Sequence, residues 1–130
     1  MSATHCTVER PTARTRNELG QMNGTPLPPF SRADLYWLAG LLEGEGCFSF
    51  TSRKRPQVVL AMTDEDVVAR VAAMWGRNYR VRSAPSDRNR NAKPLYAVAV
   101  TGWVAVELCR RLKPFMGQRR QARIQELIAA

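Results

Sequence analysis

Residues 35–46 read LYWLAGLLEGEG and form the most informative segment of this chain. The stretch is almost wholly apolar until it ends in two carboxylates, Glu43 and Glu45. A helix with about 100° per residue over this stretch carries apolar side chains nearly all round. Such a helix must be buried on more than one side. We therefore predict that one side packs on its own domain and another side packs on a second partner.

Two glycines mark one face of this predicted helix. Gly40 and Gly44 lie one turn apart and share their face with Trp37 and Leu41. Because glycine has no Cβ, another backbone can approach closely at these positions. We predict that this face is where the second partner packs.

The two carboxylates stand at the C-terminal tip of the helix. That end of a helix carries partial negative charge, so acids there are electrostatically disfavoured. A bound divalent cation would compensate for the charge of Glu43 and Glu45, and oxygen ligands suit Mg²⁺. The tip of this helix is therefore a candidate metal site.

The composition of the chain points to a polyanionic partner. Its 130 residues are enough for one domain with a hydrophobic core. Lys and Arg total 20 against 11 acids, a formal net charge of +9, which favours nucleic acid as the partner. A merely soluble basic protein is the alternative on charge alone. No run approaches the ~20 apolar residues of a membrane span, and we expect no membrane partner.

Cysteine and histidine usage excludes several kinds of site. The three cysteines are odd in number and widely spaced, and they fit neither a disulfide framework nor a CxxC metal site. The N-terminus has no apolar signal region. We therefore expect a reducing, cytoplasmic location. The single histidine, His5, argues against a Ser/His/Asp triad and a His-based metal nuclease.

The first part of the chain divides into an arm, a helix and a hairpin. Residues 1–30 lack apolar periodicity, and we predict a disordered basic arm with a Pro-rich linker before a domain over residues 31–130. Ser31 is a plausible N-cap for the first helix. Alternating residues 47–53 and 57–63 predict two strands of a β-hairpin. Thr63 is predicted to cap a second helix that ends at Gly76, and helix capping explains the acids at 64–66.

The second part repeats the hairpin and adds two helices. Strands are predicted over residues 78–83 and 95–101, and helices over residues 103–112 and 117–128. Four antiparallel strands with helices on one face make an α+β domain. The opposite sheet face is predicted to be polar and basic, with Arg and Gln side chains that suit base edges in the DNA major groove. The candidate DNA-contacting residues of these strands and their loops are Ser49, Thr51, Arg53, Arg55, Gln57, Arg80, Arg82, Arg88, Arg90 and Lys93.

The segment LAGLLEGEG, residues 38–46, resembles the signature of the LAGLIDADG homing endonucleases. The later features resemble that family in the same order: a hairpin, a Thr-Asp start of the second helix, a second hairpin, and Lys-Pro-Phe before a basic helix. The resemblance covers about residues 34–128. It implies an αββαββα fold whose saddle-shaped sheet lies in the DNA major groove.

The resemblance further implies a homodimer that makes a metal-dependent double-strand cut. Members with a single motif pair their signature helices at the glycines, which here are Gly40 and Gly44. The last acid of the motif binds the metal, Mg²⁺ or Mn²⁺, and corresponds to Glu45. The backbone carbonyl of Gly44 is a further candidate ligand. Glu43 matches a more variable acidic position and is expected to be structural.

The chain departs from the family pattern at three places. Glu45 stands where Asp is more usual, and Asp64 stands where Gln is also common. A C-terminal lysine of the family is best matched by Arg119 or Arg120, which would offset charge on the attacked phosphate. Each chain supplies one metal-binding acid, Glu45. Two copies related by a twofold axis would therefore cut the two strands of a pseudo-palindromic site.

Two other functions are open at this point. The first is a family member that binds DNA or RNA without cutting, as a splicing helper or a regulator. The intact acidic tip argues against it, because a pure binder has no need for Glu45. The second is a basic protein-interaction domain, which predicts no salt-dependent affinity for DNA.

Overall fold

The computed structural model of the chain describes residues 24–83 and 93–130. Arg88, Arg90 and residues 1–23 of the arm predicted over residues 1–30 lie outside the described residues. Across the described parts, no helix has the length and apolar character to cross a membrane. The elements follow in the order α1 (Arg32–Glu45), β1 (Gly46–Phe50), β2 (Pro56–Met62), α2 (Glu65–Trp75), β3 (Arg80–Ser83), β4 (Leu95–Thr101), α3 (Gly102–Leu112), a 3₁₀ turn (Lys113–Phe115) and α4 (Gln118–Ala129).

The four strands form one antiparallel sheet in the order β1-β2-β4-β3. The two predicted hairpins therefore lie side by side, with β2 and β4 in the centre. Strand β1 ends at Phe50, earlier than predicted, because the chain turns over residues 51–55. Lys54 adopts a φ of 62° in that turn, and its N–H donates to the Thr51 carbonyl at 2.8 Å. The α+β architecture and the αββαββα order confirm the prediction.

The hydrophobic core lies between the helices and one face of the sheet. Alternation places Phe48, Val58 and Leu60 on that face, and all three are buried. Helix α2 contributes Trp75, which is fully buried. Burying large apolar side chains is the main favourable contribution to folding, at about 25 cal/mol per Å² of apolar area.

The ends of the first two helices are set by local hydrogen bonds. Ser31 caps α1, as predicted, and its Oγ accepts from the Asp34 N–H at 3.1 Å. The predicted cap of α2, Thr63, is wrong by one residue. Asp64 is the N-cap, because its carbonyl accepts the first helical bond, from Val68 N–H at 3.2 Å. Gly76 ends α2 in the left-handed conformation, with φ 65°.

The segment before α1 is packed on the domain, whereas we predicted a linker there. Leu27 is buried in the core. The Arg77 guanidinium donates to the Thr25 carbonyl at 2.9 Å, and the Arg111 guanidinium donates to the Pro28 carbonyl at 2.8 Å. The folded domain therefore begins before residue 31, because Leu27 packs in the core and two backbone carbonyls of this segment accept hydrogen bonds from arginines.

The sheet face away from the helices differs from the predicted polar surface. Its centre consists of small apolar residues, and Val59, Ala61 and Ala97 are buried. Ser49 and Gln57, predicted to be exposed DNA-contacting residues, are also buried, with 1% of Gln57 exposed. The physical reason is position: Gln57 lies on central strand β2, between Ser49 on one side and Thr101 on the other. Its amide nitrogen lies 3.4 Å from the Ser49 hydroxyl.

Candidate active site and nucleic-acid interface

Helix α1 passes directly into strand β1 at Gly46, with no intervening loop. The Gly46 N–H donates to the Leu42 carbonyl and so closes the helix. A Cβ at this position would lie 2.7 Å from that carbonyl oxygen and 3.0 Å from the Leu42 side chain. Glycine is therefore required here by a close approach of the chain to itself. The consequence is that Glu45 stands at the junction of the helix and the sheet.

An open cleft of about 520 Å³ lies beside this junction. It brings together Glu45, Arg119 and Arg120, the three residues predicted as catalytic. Helices α1 and α4 supply these residues, although they stand at opposite ends of the described chain. The residues lining the cleft are Gly44, Glu45, Gly46, Cys47, Phe48, Ser49, Arg119, Arg120 and Arg123. Cys47 is disulfide-bonded, so the expectation that the cysteines form no disulfide is wrong at this residue.

The two carboxylates at the tip of α1 have different surroundings. Glu43 accepts a hydrogen bond from the Gly117 N–H, at the start of α4. The Arg120 Nε donates to the Glu43 carbonyl at 3.1 Å and lies 3.6 Å from its carboxylate. Glu45 is exposed and makes no hydrogen bond or ion pair with residues 24–83 or 93–130. Glu45 is thus the carboxylate of the tip that is available to an external ligand.

The three arginines of the cleft also differ in their partners. Arg120 is bound to Glu43, and its side chain is only 18% exposed. Arg123 donates from Nε to the Phe48 carbonyl at 2.8 Å, and its Nη1 lies 2.6 Å from the Glu126 carboxylate. Arg119 is exposed and has no such partner within the described parts of the chain. Among the described residues, the cleft therefore holds one unpaired guanidinium, that of Arg119, and one unpaired carboxylate, that of Glu45.

One chain does not contain a complete metal site in its described residues. These residues hold no group of three or more His, Cys, Asp or Glu side chains that could surround an ion. The unpaired carboxylate of Glu45 and the exposed backbone at Gly44 are nevertheless of the oxygen type that Mg²⁺ prefers. The tip of α1 fits part of a magnesium ligand set, which further ligands from outside the chain would complete.

The outer face of α1 is open. Leu38, Ala39 and Leu42 are buried on its inner face. On the outer face, an added Cβ at Gly40 or Gly44 would meet no atom within 4 Å. A second backbone has room to pack at these two glycines, as their spacing predicted.

Two aromatic residues extend this open face. Tyr36 is 50% exposed and Phe115 is 44% exposed, and their rings meet edge to face with centroids 5.1 Å apart. Trp37 and Leu41, which we predicted on the glycine face, are half-buried and pack against the core. The Arg70 guanidinium lies 3.7 Å from the centre of the Trp37 ring.

Sequence reasoning missed Tyr36, Phe115 and Arg123. Tyr36 could have been found, because it precedes Gly40 and Gly44 at the same four-residue spacing that places side chains on one helical face. Phe115 stands in a Lys-Pro-Phe segment whose position against α1 no local pattern gives. Arg123 is one turn after Arg119 and Arg120, so it shares their side of α4.

Basic side chains flank the buried centre of the sheet. Arg53 and Arg55 lie in the exposed turn between β1 and β2, and Lys93 is exposed just before β4. The Arg55 guanidinium lies against the backbone of Gly102, where a Cβ would be 2.5 Å from Nη2. Thr51, in the same turn, accepts from the Arg55 N–H at 3.2 Å. These predicted DNA-contacting residues are therefore at the ends of the strands.

Strand β3 carries Arg80 and Arg82 at the edge of the sheet. The pKa of Arg82 lies below its usual value, mainly because of burial and secondarily because of the charge of Arg80. The Nη1 atom of Arg82 is buried and has no hydrogen-bond partner among the described residues.

No family model matches the chain, and no curated protein matches it in sequence. Solved structures do match. The chain is similar to the homing endonuclease I-CvuI bound to the I-CreI target in the presence of magnesium, with the DNA not cleaved: 19% identity, a TM-score of 0.55, and coverage of 75% of this chain and 65% of that one. It is also similar to I-CvuI bound to its own target in the presence of calcium, with 17% identity, a TM-score of 0.52, and coverage of 75% and 64%.

The chain thus spans about two thirds of the length of these solved homing endonucleases. At such low sequence identity, the similarity establishes the fold. It agrees with the helix tip, the αββαββα order and the four-stranded sheet described above. The chain has the fold of the LAGLIDADG homing endonucleases, as residues 38–46 had indicated.

Proposed function

We propose that this protein is a site-specific DNA endonuclease that makes a Mg²⁺- or Mn²⁺-dependent double-strand cut as a homodimer. The observation that carries the proposal is the state of Glu45. This carboxylate is exposed, unpaired among the described residues, and placed in a cleft lined by three arginines. Acids at a helix C-terminus are electrostatically disfavoured, so an unpaired acid there favours a cation-dependent role.

Glu45 and the carbonyl of Gly44 would hold the metal ion, together with the equivalent groups of a second copy. A bound divalent ion activates water as a nucleophile and stabilises the oxygen that leaves phosphorus. Glu45 itself supplies the negative charge that retains the ion at the junction of α1 and β1. One acid per chain is too few for a complete site, which is why the proposal requires two chains.

Arg119 is the residue proposed to contact the scissile phosphate. Its guanidinium is exposed and without a partner in the described chain, whereas Arg120 is bound to Glu43. A guanidinium beside a phosphorane-like transition state offsets the charge that develops there. Arg120 and Arg123 hold neighbouring backbone atoms of α1 and β1.

The homodimer is proposed to form through the outer face of α1. Gly40 and Gly44 leave room for a second backbone, and Tyr36 and Phe115 supply exposed apolar area beside them. A twofold axis at this face would bring two Glu45 side chains toward one DNA duplex. The target would then be pseudo-palindromic.

Double-stranded DNA is the proposed substrate. DNA as the substrate is supported by four cations that flank the sheet and that we propose to contact phosphates or bases. They are Arg53, Arg55, Arg80 and Arg82. The solved homing endonuclease with the same fold is bound to DNA targets. The basic composition of the whole chain agrees with this partner.

The experiment is selection of cleaved sites from a random duplex DNA library with Mg²⁺, followed by plasmid cleavage at the selected site. Glu45→Gln should lower the cleavage rate roughly 1,000-fold or more, equivalent to about 4 kcal/mol in the barrier, because the metal-binding charge is lost. Glu107→Gln is the matched control. Glu107 is also an exposed helical carboxylate, but it pairs with Arg111 on α3.

Three outcomes separate the candidate functions. Cleavage by the parent and Glu107→Gln, but not by Glu45→Gln, supports the endonuclease. Salt-dependent DNA or RNA binding by every variant, with no cutting in Mg²⁺ or Mn²⁺, overturns cleavage in favour of a non-cleaving splicing helper or regulator. The absence of any salt-dependent affinity for DNA would indicate the protein-interaction domain instead.

A further inference from the structure

The contact between Glu43 and Gly117 joins the two helices that form the cleft. Glu43 is in the last turn of α1, and Gly117 is the N-cap of α4. The Gly117 N–H donates to Glu43 Oε1. Helix α4 has no side-chain cap of its own, so the carboxylate of another helix takes the place of one.

A side chain at position 117 would have to displace this carboxylate. Gly117 has a φ of −70°, which any residue adopts. A Cβ there would lie 2.8 Å from Glu43 Oε1 and 3.5 Å from its Cδ. The space that glycine leaves free is therefore occupied by the Glu43 side chain.

Arg120 completes the connection from the side of α4. Its Nε donates to the Glu43 carbonyl and lies 3.6 Å from the Glu43 carboxylate. An acid near the first turn of a helix is favoured by the partial positive charge of that end. Glu43 is thus held by a backbone N–H, a guanidinium and the N-terminal charge of α4.

Each end of the contact lies two residues from a group that faces the cleft. Glu45 follows Glu43 by two positions, and Arg119 follows Gly117 by two positions. Both connections are short stretches of backbone with little freedom. The contact between Glu43 and Gly117 therefore joins the backbone segments that carry the unpaired carboxylate and the exposed guanidinium.

From this geometry we infer that Glu43 is a positioning residue: its carboxylate caps α4 at Gly117 and so sets Arg119 against Glu45 for phosphodiester cleavage. The inference rests on the proposed endonuclease function and deepens it. Glu43 touches neither the reacting phosphate nor the metal in this assignment. A displacement of about 1 Å at a catalytic group can cost 100-fold in rate.

The test is a double-mutant cycle on Glu43 and Gly117 in the full chain. Gly117→Ala should lower single-turnover cleavage about 10- to 100-fold, while KM for the DNA site rises no further than it does in Arg119→Gln. Removing the carboxylate should make the added methyl group harmless. Glu43→Ala/Gly117→Ala should therefore cleave at the rate of Glu43→Ala alone, because residues in contact are not additive. Glu107→Gln, which lies outside the cleft, should cleave as the parent does.

Two measurements that need no cleavage accompany the cycle. The first is the urea midpoint of unfolding, which Gly117→Ala should lower, with the double variant equal to Glu43→Ala. The second is affinity for the duplex site with Ca²⁺ in place of Mg²⁺. Arg119→Gln should weaken this affinity in the parent and have no effect in Gly117→Ala, where Arg119 is displaced from the phosphate.

These measurements distinguish failure of the inference from failure of the proposed function. If the changes in urea midpoint caused by Glu43→Ala and Gly117→Ala simply add in the double variant, Glu43 does not cap α4, whether or not the parent protein cuts DNA. If the changes in urea midpoint do not add, but Gly117→Ala cleaves DNA as fast as the parent, Glu43 caps α4 without positioning Arg119. A parent that binds DNA without cutting overturns the endonuclease, and the Arg119 affinity test then decides the positioning of Arg119. A parent that neither binds nor cuts overturns both.

Discussion

The two sides of helix α1 differ in whether the chain itself provides a partner. On the inner side, Leu38 and Leu42 are fully buried, and Glu43 at the tip is bound to α4. On the outer side, Gly40 leaves space that no atom fills within 4 Å, and Glu45 has no partner among the described residues. The same helix thus has two different sides. Its inner side stabilises one chain, and its outer side is left uncovered by the described residues.

The glycines of α1 and its junction with β1 differ in how closely other atoms approach them. Gly46 is crowded by its own helix, with a would-be Cβ 2.7 Å from the Leu42 carbonyl. Gly40 and Gly44 are open. The crowded glycine is explained by the fold of the chain, whereas the described residues give no packing reason for the two open glycines.

The largest effect on stability is expected from the inner side. Leu42→Ala should lower the free energy of unfolding by about 3 kcal/mol, because it removes a fully buried side chain and leaves a cavity. Tyr36→Ala, on the outer side, should change it by no more than about 0.5 kcal/mol in dilute monomer. Urea unfolding at several protein concentrations measures both. A large, concentration-independent loss in Tyr36→Ala would contradict the division of the helix into two sides.

The second prediction is a difference in sign between two glycines. Gly46→Ala should destabilise the monomer by about 1–3 kcal/mol, because the new methyl group meets the Leu42 carbonyl. Gly40→Ala should stabilise it by roughly 0.5–1 kcal/mol, because alanine is the better helix former and has space. Thermal or urea unfolding of dilute protein checks both signs. Two changes of the same sign would show that crowding does not separate these glycines.

Gly40→Leu extends this test to association. The variant should fold, while the dissociation constant of the dimer rises at least tenfold, about 1.4 kcal/mol. Sedimentation over a range of concentrations measures the constant. An unchanged constant would place the dimer contact elsewhere on the chain.

The smallest effect applies the same comparison to two arginines. Arg77 is bound to the Trp75 and Thr25 carbonyls, whereas Arg82 Nη1 has no partner in the described chain. Arg82→Gln should reduce the slope of log affinity for DNA against log salt by roughly 0.9, the loss of one phosphate contact. Arg110→Gln, an equal charge change at an exposed position on α3, should leave the slope unchanged. Equal slopes for Arg82→Gln and the parent would remove Arg82 from the interface.

The sequence was informative wherever one element could be read by itself. The apolar stripe of α1, the alternation in β1 and β2, and the left-handed Gly76 all follow from local patterns. The fold class followed from their order. The wrong prediction at Thr63 also concerns a local feature. Thr63 and Asp64 are both suitable N-cap residues, and the hydrogen bonds of the helix begin at Asp64.

The sheet face illustrates where local reading failed. Ser49 and Gln57 alternate with core residues, as exposed polar residues would. Their burial depends on strand order, because β2 lies between β1 and β4. Alternation of apolar and polar residues shows on which face of a sheet a side chain lies. It does not show whether side chains at the centre of that face are exposed to solvent.

The sequence by itself determined the helix with its acidic tip, the two hairpins, the basic charge and the candidate role of Glu45. Only the tertiary structure decided that Glu43 caps α4 at Gly117 and that Arg120 is bound to Glu43 while Arg119 is left exposed. The physical reason is distance along the chain. Periodicity and capping act over a few residues, whereas the cleft forms where the two ends of the described chain meet.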